Sequence, residues 1–223
     1  MVTGCNDGSL TLWNVNDGKA LSQLPMGTSI RGMAADPKAE RFAVALEDKT
    51  VRLLDSAQAR EIRRFKGSRD MVAAVAFRPD GRQLAGGTND GEAIVWDVES
   101  GSVLMRRRAG PTALSSLAWS PDGRYLLAGT LAGRGIVWAA SGMQEEITLE
   151  GPQEKPASAV PVAFDPSARD AEPRLTLAGS AGVRIFELGI GRLRQRARAL
   201  LTRRFTDADC VQYVRRRGCE LNP

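Results

Sequence analysis

The 223-residue chain contains no histidine and only three cysteines, and aromatic residues make up just 5% of it. Without histidine, the chain cannot use Ser-His-Asp or Cys-His catalysis or hold a histidine-ligated zinc or iron ion. Cys5, Cys210 and Cys219 are too few for a disulfide framework or a four-cysteine metal site. They are typical of a reducing compartment, so we expect a cytoplasmic location. The composition argues against most classes of enzyme.

The chain also lacks long apolar runs. None approaches the ~20 residues that a membrane-spanning helix needs. The first residues have neither the basic start nor the apolar stretch of a signal peptide. With 43% apolar and 26% charged residues, the composition predicts a folded core rather than disorder.

Positive charge is concentrated at one end of the sequence. Residues 189–223 hold nine arginines against three acidic residues, a net charge of +6. The total is +5, so residues 1–188 carry a net charge of −1. This difference indicates a nearly neutral body of 1–188 and a basic tail of 189–223.

A repeat of about 42 residues runs through the body. The first series of markers ends short aliphatic runs at intervals of 41, 42, 42 and 48 residues: Trp13, Leu54, Trp96, Trp138 and Phe186. A second series has intervals of 42, 42 and 45 residues: Pro37, Pro79, Pro121 and Pro166. Two independent series in step indicate a true structural repeat.

The pattern within one repeat predicts four strands. Val72–Phe77 is an apolar strand, and the turn after it leads into a second strand, 83–88. Asn89-Asp-Gly91 is a strong hairpin signal before a third strand, 92–97. A fourth and more polar strand, 102–105, completes an antiparallel unit typical of a propeller blade.

These residues carry a family resemblance. Asn89-Asp-Gly-Glu-Ala-Ile-Val-Trp-Asp97 and Phe77-Arg-Pro-Asp-Gly81 resemble the signature of the WD40 repeat, as do residues 6–14 and 119–123. The resemblance covers about residues 1–188. It implies an all-β propeller whose usual work is to bind proteins without catalysis. The chain departs from the family in lacking the histidine of its Gly-His pair.

Strand counting predicts about five blades, of which two are incomplete. The first blade lacks its inner strand, because the sequence begins within a second strand at Val2–Gly4. Three full blades are expected over 29–149. The last blade, 157–188, lacks an outer strand. We expect the chain to be the C-terminal part of a longer propeller protein, or to associate with itself through its open edges.

The tail predicts a helix, since Leu193, Ala197, Leu200 and Leu201 share one helical face. Residues 204–213 resemble a short segment that follows the propeller in large bacterial WD40 proteins with signalling ATPase, protease-like or kinase domains. That resemblance implies a bacterial, multidomain parent. Cys210 and Cys219 could pair as a disulfide, although a reducing compartment favours free thiols.

The repeated side chains favour structural roles. Asp7, Asp48 and Asp90 occupy the same turn of successive blades, so turn stabilisation is favoured over a metal cluster. The marker residues Trp13, Leu54, Trp96, Trp138 and Phe186 are expected in blade packing. The glycine-rich 129–135 falls on a repeat hairpin and lacks the Gly-Lys-Ser/Thr end of a phosphate-binding loop. We expect no cofactor, metal or catalytic residue.

The interpretation that these patterns favour is a non-catalytic scaffold or sensor that binds another protein through blade loops and the propeller mouth. The candidate contact residues near loops are Arg31, Arg69, Asp70 and Arg134. The basic tail offers an alternative, binding of nucleic acid or an acidic surface through Arg192, Arg194, Arg196 and Arg198. A propeller enzyme is disfavoured by the apolar inner strands and the absence of histidine.

Overall fold

The computed structural model describes residues 1–141, 146–151, 159–165 and 174–187. These ranges contain eighteen β-strands in five antiparallel sheets and no helix. Within them, no helix is long and apolar enough to cross a membrane. The whole tail, residues 189–223, lies outside the described residues. This includes the expected helix, the candidate residues Arg192, Arg194, Arg196 and Arg198, and both Cys210 and Cys219.

Each sheet is one blade, and we number the blades in chain order. Blade 1 consists of β1 (Val2–Gly4), β2 (Ser9–Trp13) and β3 (Ala20–Pro25). Blade 2 consists of β4 (Ile30–Ala35), β5 (Arg41–Leu46), β6 (Val51–Asp55) and β7 (Glu61–Phe65). Blade 3 consists of β8 (Val72–Phe77), β9 (Gln83–Thr88), β10 (Glu92–Asp97) and β11 (Val103–Arg108). Blade 4 consists of β12 (Leu114–Trp119), β13 (Tyr125–Thr130), β14 (Arg134–Ala139) and β15 (Glu146–Glu150). Blade 5 consists of β16 (Val162–Phe164), β17 (Arg174–Gly179) and β18 (Gly182–Glu187).

Strand order within each blade follows the chain. Successive blades meet mainly through their first strands, because β4 contacts β8, β8 contacts β12, and β12 contacts β16. We call these four the inner strands, and we call β3, β7, β11 and β15 the outer strands. The arrangement confirms the expected fold class, a partial propeller of about five blades. Within the described residues, blade 1 shows no inner strand and blade 5 shows no outer strand, as the strand count predicted.

Four apolar clusters hold the blades together, one at each junction. Between blades 2 and 3, for example, Phe65 packs against Trp96 with ring centroids 5.8 Å apart, and both side chains are fully buried. Successive side chains of a blade's third strand point to opposite faces of the sheet, so one strand contributes to the junctions on both sides of its blade. Ile94 and Trp96 face blade 2, whereas Ala93 and Val95 face blade 4.

Small residues allow the inner strand of one blade to approach the second strand of the blade before it. At Gly87, an added Cβ would lie 2.9 Å from the Cβ of Leu114 in the next blade. At Gly4 it would lie 2.7 Å from the Sδ atom of Met33. At Gly129 it would overlap the carbonyl oxygen of Val160. The equivalent residue in blade 2 is Ala45, which is fully buried. Close packing at each junction therefore depends on a small side chain at this position.

Blade 2 differs from the other blades in its turns. Among the described residues, the non-glycine positions with positive φ all lie there: Ala39 (56°), Lys49 (68°) and Ala59 (53°). Other blades have glycine at the equivalent positions, namely Gly81 and Gly123 for Ala39, Gly8, Gly91 and Gly133 for Lys49, and Gly18 and Gly101 for Ala59. Since a Cβ disfavours this backbone region, blade 2 adopts the shared turn geometry at a conformational cost.

Candidate interaction surface

The two ends of the blades carry different loops. In blade 2, Ile30 pairs with Leu46, and Val51 pairs with both Ala45 and Phe65. The start of the inner strand, the hairpin between the second and third strands, and the end of the outer strand therefore lie together. We call this end the loop face. It comprises the hairpins at 5–8, 47–50, 89–91 and 131–133 and the connections at 26–29, 66–71 and 109–113.

The aspartates of the loop face act within their own hairpins. Asp7 accepts hydrogen bonds from the Ser9 amide at 2.8 Å and hydroxyl at 2.7 Å. Asp48 accepts the equivalent bonds from Thr50, its amide at 3.0 Å and its hydroxyl at 2.5 Å. Asp90 accepts a bond from the Thr88 hydroxyl at 2.6 Å. Three separate hairpins hold these carboxylates, and the described residues contain no group of three or more His, Cys, Asp or Glu suited to a metal ion.

These hydrogen bonds favour the charged carboxylates. The side-chain and backbone bonds from Ser9 hold the pKa of Asp7 below its ordinary value. Burial raises the pKa of Asp48, but the bonds from Thr50 and the charge of Arg52 outweigh it and lower that pKa overall. In blade 4, where residue 132 is alanine, Thr130 stabilises the hairpin instead. Its hydroxyl accepts a bond from the Arg134 amide at 3.1 Å and donates to the Arg134 carbonyl at 3.2 Å.

Hydrogen bonds also join neighbouring blades at the loop face. The Ile30 amide donates to the Cys5 carbonyl at 3.3 Å, which links blades 1 and 2. The Lys49 ammonium donates to the Arg69 carbonyl at 3.0 Å, which links the blade 2 hairpin to the connection before blade 3. The Ser116 hydroxyl donates to the Val160 carbonyl at 2.7 Å, which links blades 4 and 5. Several blades therefore hold the loop face as one framework.

The four candidate contact residues all lie near this face. Arg31 is the second residue of β4, Arg69 and Asp70 precede β8, and Arg134 begins β14. The three arginines are exposed. None of their guanidinium groups bonds or forms an ion pair with any residue that the structure describes. Asp70 instead accepts a bond from the Met71 amide at 2.8 Å and so orders its own loop.

Arg31 occupies a special backbone position. The pairing register shifts at the same place in three inner strands, between Ile30 and Gly32, between Val72 and Ala74, and between Leu114 and Ser116. Arg31 is thus the extra residue of a β-bulge, which redirects a side chain out of the regular ladder. The equivalent residues in blades 3 and 4 are Ala73 and Ser115. Sequence spacing signals the repeat, but the bulge is visible only in the pairing.

Three arginines at the opposite end make contacts within the protein. We call that end the turn face. There Arg41 pairs with the buried Asp36, Arg78 pairs with Asp80 at 3.2 Å, and Arg124 pairs with Asp122 at 2.7 Å. Arg78 and Arg124 also lie over the aromatic rings of Trp119 and Tyr125. These contacts pair Arg41, Arg78 and Arg124 internally, whereas the guanidinium groups of Arg31, Arg69 and Arg134 make no such contact with any described residue.

The marker residues of the repeat line the blade junctions. Leu54, Trp96 and Trp138 are almost completely buried, whereas Trp13 and Phe186 in the outermost blades are half-buried. Leu54, Trp96, Trp138 and Phe186 each face the preceding blade. Blade 1 has no described neighbour on that side, and there the indole N–H of Trp13 donates to the Thr3 hydroxyl at 2.7 Å.

Comparisons with known proteins are consistent with this geometry. Residues 65–121 match the family model for the WD40 domain of anaphase-promoting complex subunit 4. U3 small nucleolar RNA-associated protein 21 homolog of Schizosaccharomyces pombe is 28% identical over 104 residues, 47% of this chain and 12% of that protein. Periodic tryptophan protein 2 of Arabidopsis thaliana is 42% identical over 77 residues, 34% of this chain and 8% of that protein.

A guanine nucleotide-binding protein subunit beta of Zea mays is 29% identical over 113 residues, 47% of this chain and 30% of that protein. The chain therefore spans less than a third of the length of each of these relatives. All three are eukaryotic, so they give no support to the bacterial parent expected from the tail.

Proposed function

We propose that this chain, which carries WD40 repeats, is a non-catalytic scaffold module that binds an acidic segment of another protein at its loop face. The observation that carries the proposal is a set of three exposed arginines, Arg31, Arg69 and Arg134, whose guanidinium groups bond to no residue that the structure describes. Hydrogen bonds from Ile30 to Cys5, from Lys49 to Arg69 and from the Arg134 amide to Thr130 hold the backbone at or beside each arginine, so little loop ordering is needed on binding.

The chemistry of the partner follows from these groups. A guanidinium can accept a carboxylate in two parallel hydrogen bonds, which adds specificity to charge attraction. An acidic peptide that spans several blades would engage more than one arginine. Binding of this kind weakens as salt screens the charges, over a distance of about 8 Å at physiological ionic strength.

The test is charge reversal at the loop face against charge reversal at the turn face. The first variant carries Arg31→Glu, Arg69→Glu and Arg134→Glu. The matched control carries Lys38→Glu, Arg60→Glu and Arg82→Glu, which change net charge equally at exposed turn-face positions. Fluorescence anisotropy with a labelled ten-residue glutamate peptide should show at least tenfold weaker binding for the first variant alone. Equal loss in both variants would mean that net charge, not the loop face, controls binding.

A second candidate function is binding of nucleic acid or an acidic surface through the basic tail. The feature that favours it is the net charge of +6 over residues 189–223. Replacement of Arg192, Arg194, Arg196 and Arg198 with glutamine separates the two candidates. If duplex DNA binds the wild type with a steep salt dependence that this variant loses, the tail is the binding element.

The wider setting of the module is part of the same proposal. The cytoplasmic location rests on the sparse cysteines, of which the described Cys5 is a free, exposed thiol. The larger bacterial signalling parent rests on the resemblance of residues 204–213 alone. Reading the genomic sequence on both sides of the coding region for these 223 residues tests it directly.

A further inference from the structure

The loop-face hairpin of blade 4 differs from the equivalent hairpins at one exposed position. Blades 1, 2 and 3 have polar residues there, Asn6, Glu47 and Asn89, whereas blade 4 has Leu131. All four residues are exposed. Because the position faces solvent in each of these blades, the fold does not require an apolar side chain at Leu131.

The hairpin also forms without a leucine. In blade 4 the Thr130 hydroxyl bonds to both the amide and the carbonyl of Arg134. In blade 3 the Thr88 hydroxyl makes the same two bonds to Glu92, each at 2.9 Å, and the residue after Thr88 is Asn89. The geometry of the hairpin is therefore independent of the Leu131 side chain.

Neighbouring segments hold the backbone of this hairpin on both sides. The Leu131 amide donates to the Ala113 carbonyl at 3.0 Å, in the connection before β12. The Gly133 carbonyl accepts a bond of 2.9 Å from the Gly151 amide, just after β15. A partner that binds here therefore meets a surface whose backbone is already ordered, which lowers the entropic cost of binding.

The position of Leu131 links it to the charged groups of the loop face. A single exposed leucine is ordinary on a protein surface. Leu131, however, is 46% exposed and shares its hairpin with Arg134, one of the three loop-face arginines without a described partner for the guanidinium. Apolar contact beside an ion pair excludes water and so strengthens the pair. Leu131 and Arg134 together therefore suit an acidic residue with an apolar neighbour.

We propose that Leu131 is a specificity-determining contact of the loop face, which receives an aliphatic side chain from an acidic segment of the partner protein. This inference rests on the proposed function, because the arginines supply the attraction for the acidic segment. Leu131 then selects, among acidic segments, those that carry an aliphatic residue close to the carboxylate that pairs with Arg134. The polar residues at the equivalent position of the other hairpins offer no such contact.

The experiment uses the full chain and two labelled peptides, in each of which five glutamates precede and five follow one central residue. The central residue is leucine in one peptide and asparagine, similar in size and equal in charge, in the other. Because the flanks are uniform, either peptide can shift until its central residue reaches Leu131. Fluorescence anisotropy should show at least fivefold tighter binding of the leucine peptide. Equal affinities would overturn this inference and leave the proposed function standing, whereas binding of neither peptide would overturn both.

Protein variants test the location of the contact. Leu131→Asn installs the residue that blades 1 and 3 have at this position, so the melting temperature should change little while the preference for the leucine peptide disappears. The matched control is Leu104→Asn, because Leu104 is similarly exposed, at 48%, but lies near the turn-face end of β11. This control should keep the preference. A preference that survives Leu131→Asn, or that Leu104→Asn abolishes, overturns the assignment.

NMR of the wild type gives a readout that does not depend on how well a variant folds. The methyl signals of Leu131 should shift on addition of the leucine peptide and shift much less with the asparagine peptide. The methyl signals of Leu104 should be unchanged by both. Equal shifts of the Leu131 methyl groups with the two peptides would contradict a contact between the two leucine side chains.

Discussion

The indole N–H of Trp96 in blade 3 donates a hydrogen bond of 2.9 Å to the backbone oxygen of Lys66, in the connection that follows blade 2. The bond ties a fully buried aromatic side chain to the preceding blade. Trp138 holds the equivalent position in blade 4 and is equally buried, but its Nε1 has no partner among the described residues. The two tryptophans therefore contribute differently to stability although they look alike in the sequence.

This difference predicts unequal effects of phenylalanine at the two positions. Trp96→Phe loses a hydrogen bond as well as ring volume, whereas Trp138→Phe removes a donor that is already unpaired. We expect Trp96→Phe to cost about 1 kcal/mol more in the free energy of unfolding. Trp96→Ala should cost about 3–5 kcal/mol, because it leaves a large cavity. Urea denaturation of the three variants measures these costs, and equal costs for the two phenylalanine variants would contradict the role of Lys66.

A methyl group at Gly129 should weaken the junction between blades 4 and 5. Its Cβ would overlap the carbonyl oxygen of Val160 and the hydroxyl of Ser116, which are hydrogen-bonded to each other. We expect Gly129→Ala to lower the free energy of unfolding by about 1–3 kcal/mol, the usual cost of overpacking. Ala45→Gly, at the equivalent position of blade 2, should cost about 0.5–1 kcal/mol, because it only loosens a strand. A smaller cost for Gly129→Ala than for Ala45→Gly would mean that blades 4 and 5 are not in close contact.

Glycine should stabilise one turn of blade 2. Ala39 is exposed and has a φ of 56°, where Gly81 and Gly123 serve in blades 3 and 4. Removing the Cβ should relieve about 1–2 kcal/mol of strain at this positive φ. The added conformational entropy of glycine in the unfolded chain should cost about 0.4–1 kcal/mol of stability. Ala39→Gly should therefore raise the melting temperature slightly. Ala57→Gly, at an exposed position without positive φ, should lower it. A drop for both variants would show that the Ala39 turn is unstrained.

Stability should fall as the solution becomes acidic. Burial raises the pKa of Asp122, but hydrogen bonds from Ser120 and Arg124 outweigh it, so the pKa lies below the ordinary value of 3.8. A group with a lowered pKa stabilises the fold above its unfolded value and loses that contribution as pH drops through its folded value. Chemical denaturation between about pH 5 and pH 2 should show this loss. The Asp122→Asn variant should lose less free energy of unfolding over the same pH range. Carbon NMR of the Asp122 carboxyl in the wild type should titrate below 3.8, and Arg124→Gln should move the midpoint upward.

Blade 5 should mediate self-association. No outer strand pairs with β18 within the ranges that the structure describes, and Val183 and Ile185 on β18 are 62% and 67% exposed. An unpaired apolar edge invites pairing with another edge, here the β18 strand of a second copy. Multi-angle light scattering should give a mass above 24.0 kDa that rises with concentration. Val183→Lys with Ile185→Lys should restore the monomer mass. A wild-type monomer at every concentration would mean that β18 is covered within a single chain.

Spacing and strand alternation in the sequence were sufficient to determine the blade architecture. The 42-residue period aligned Leu54, Trp96 and Trp138, and local turn chemistry located the hairpins, because both are properties of neighbouring residues. The same strand count predicted the three strands that the first and last blades each show among the described residues.

Only the tertiary structure decided how equivalent residues differ. Trp96 has a carbonyl partner, whereas Trp138 has none among the described residues. Lys49 adopts a backbone conformation typical of glycine. Arg124 pairs with Asp122, whereas the guanidinium of Arg134 bonds to no described residue. The register shift beside Arg31 was equally invisible in the sequence. Each depends on groups from another blade or on the pairing of two strands. The repeat in the sequence shows which positions are equivalent. How much each side chain contributes to the free energy of unfolding depends on the atoms that packing brings within a few ångströms of it.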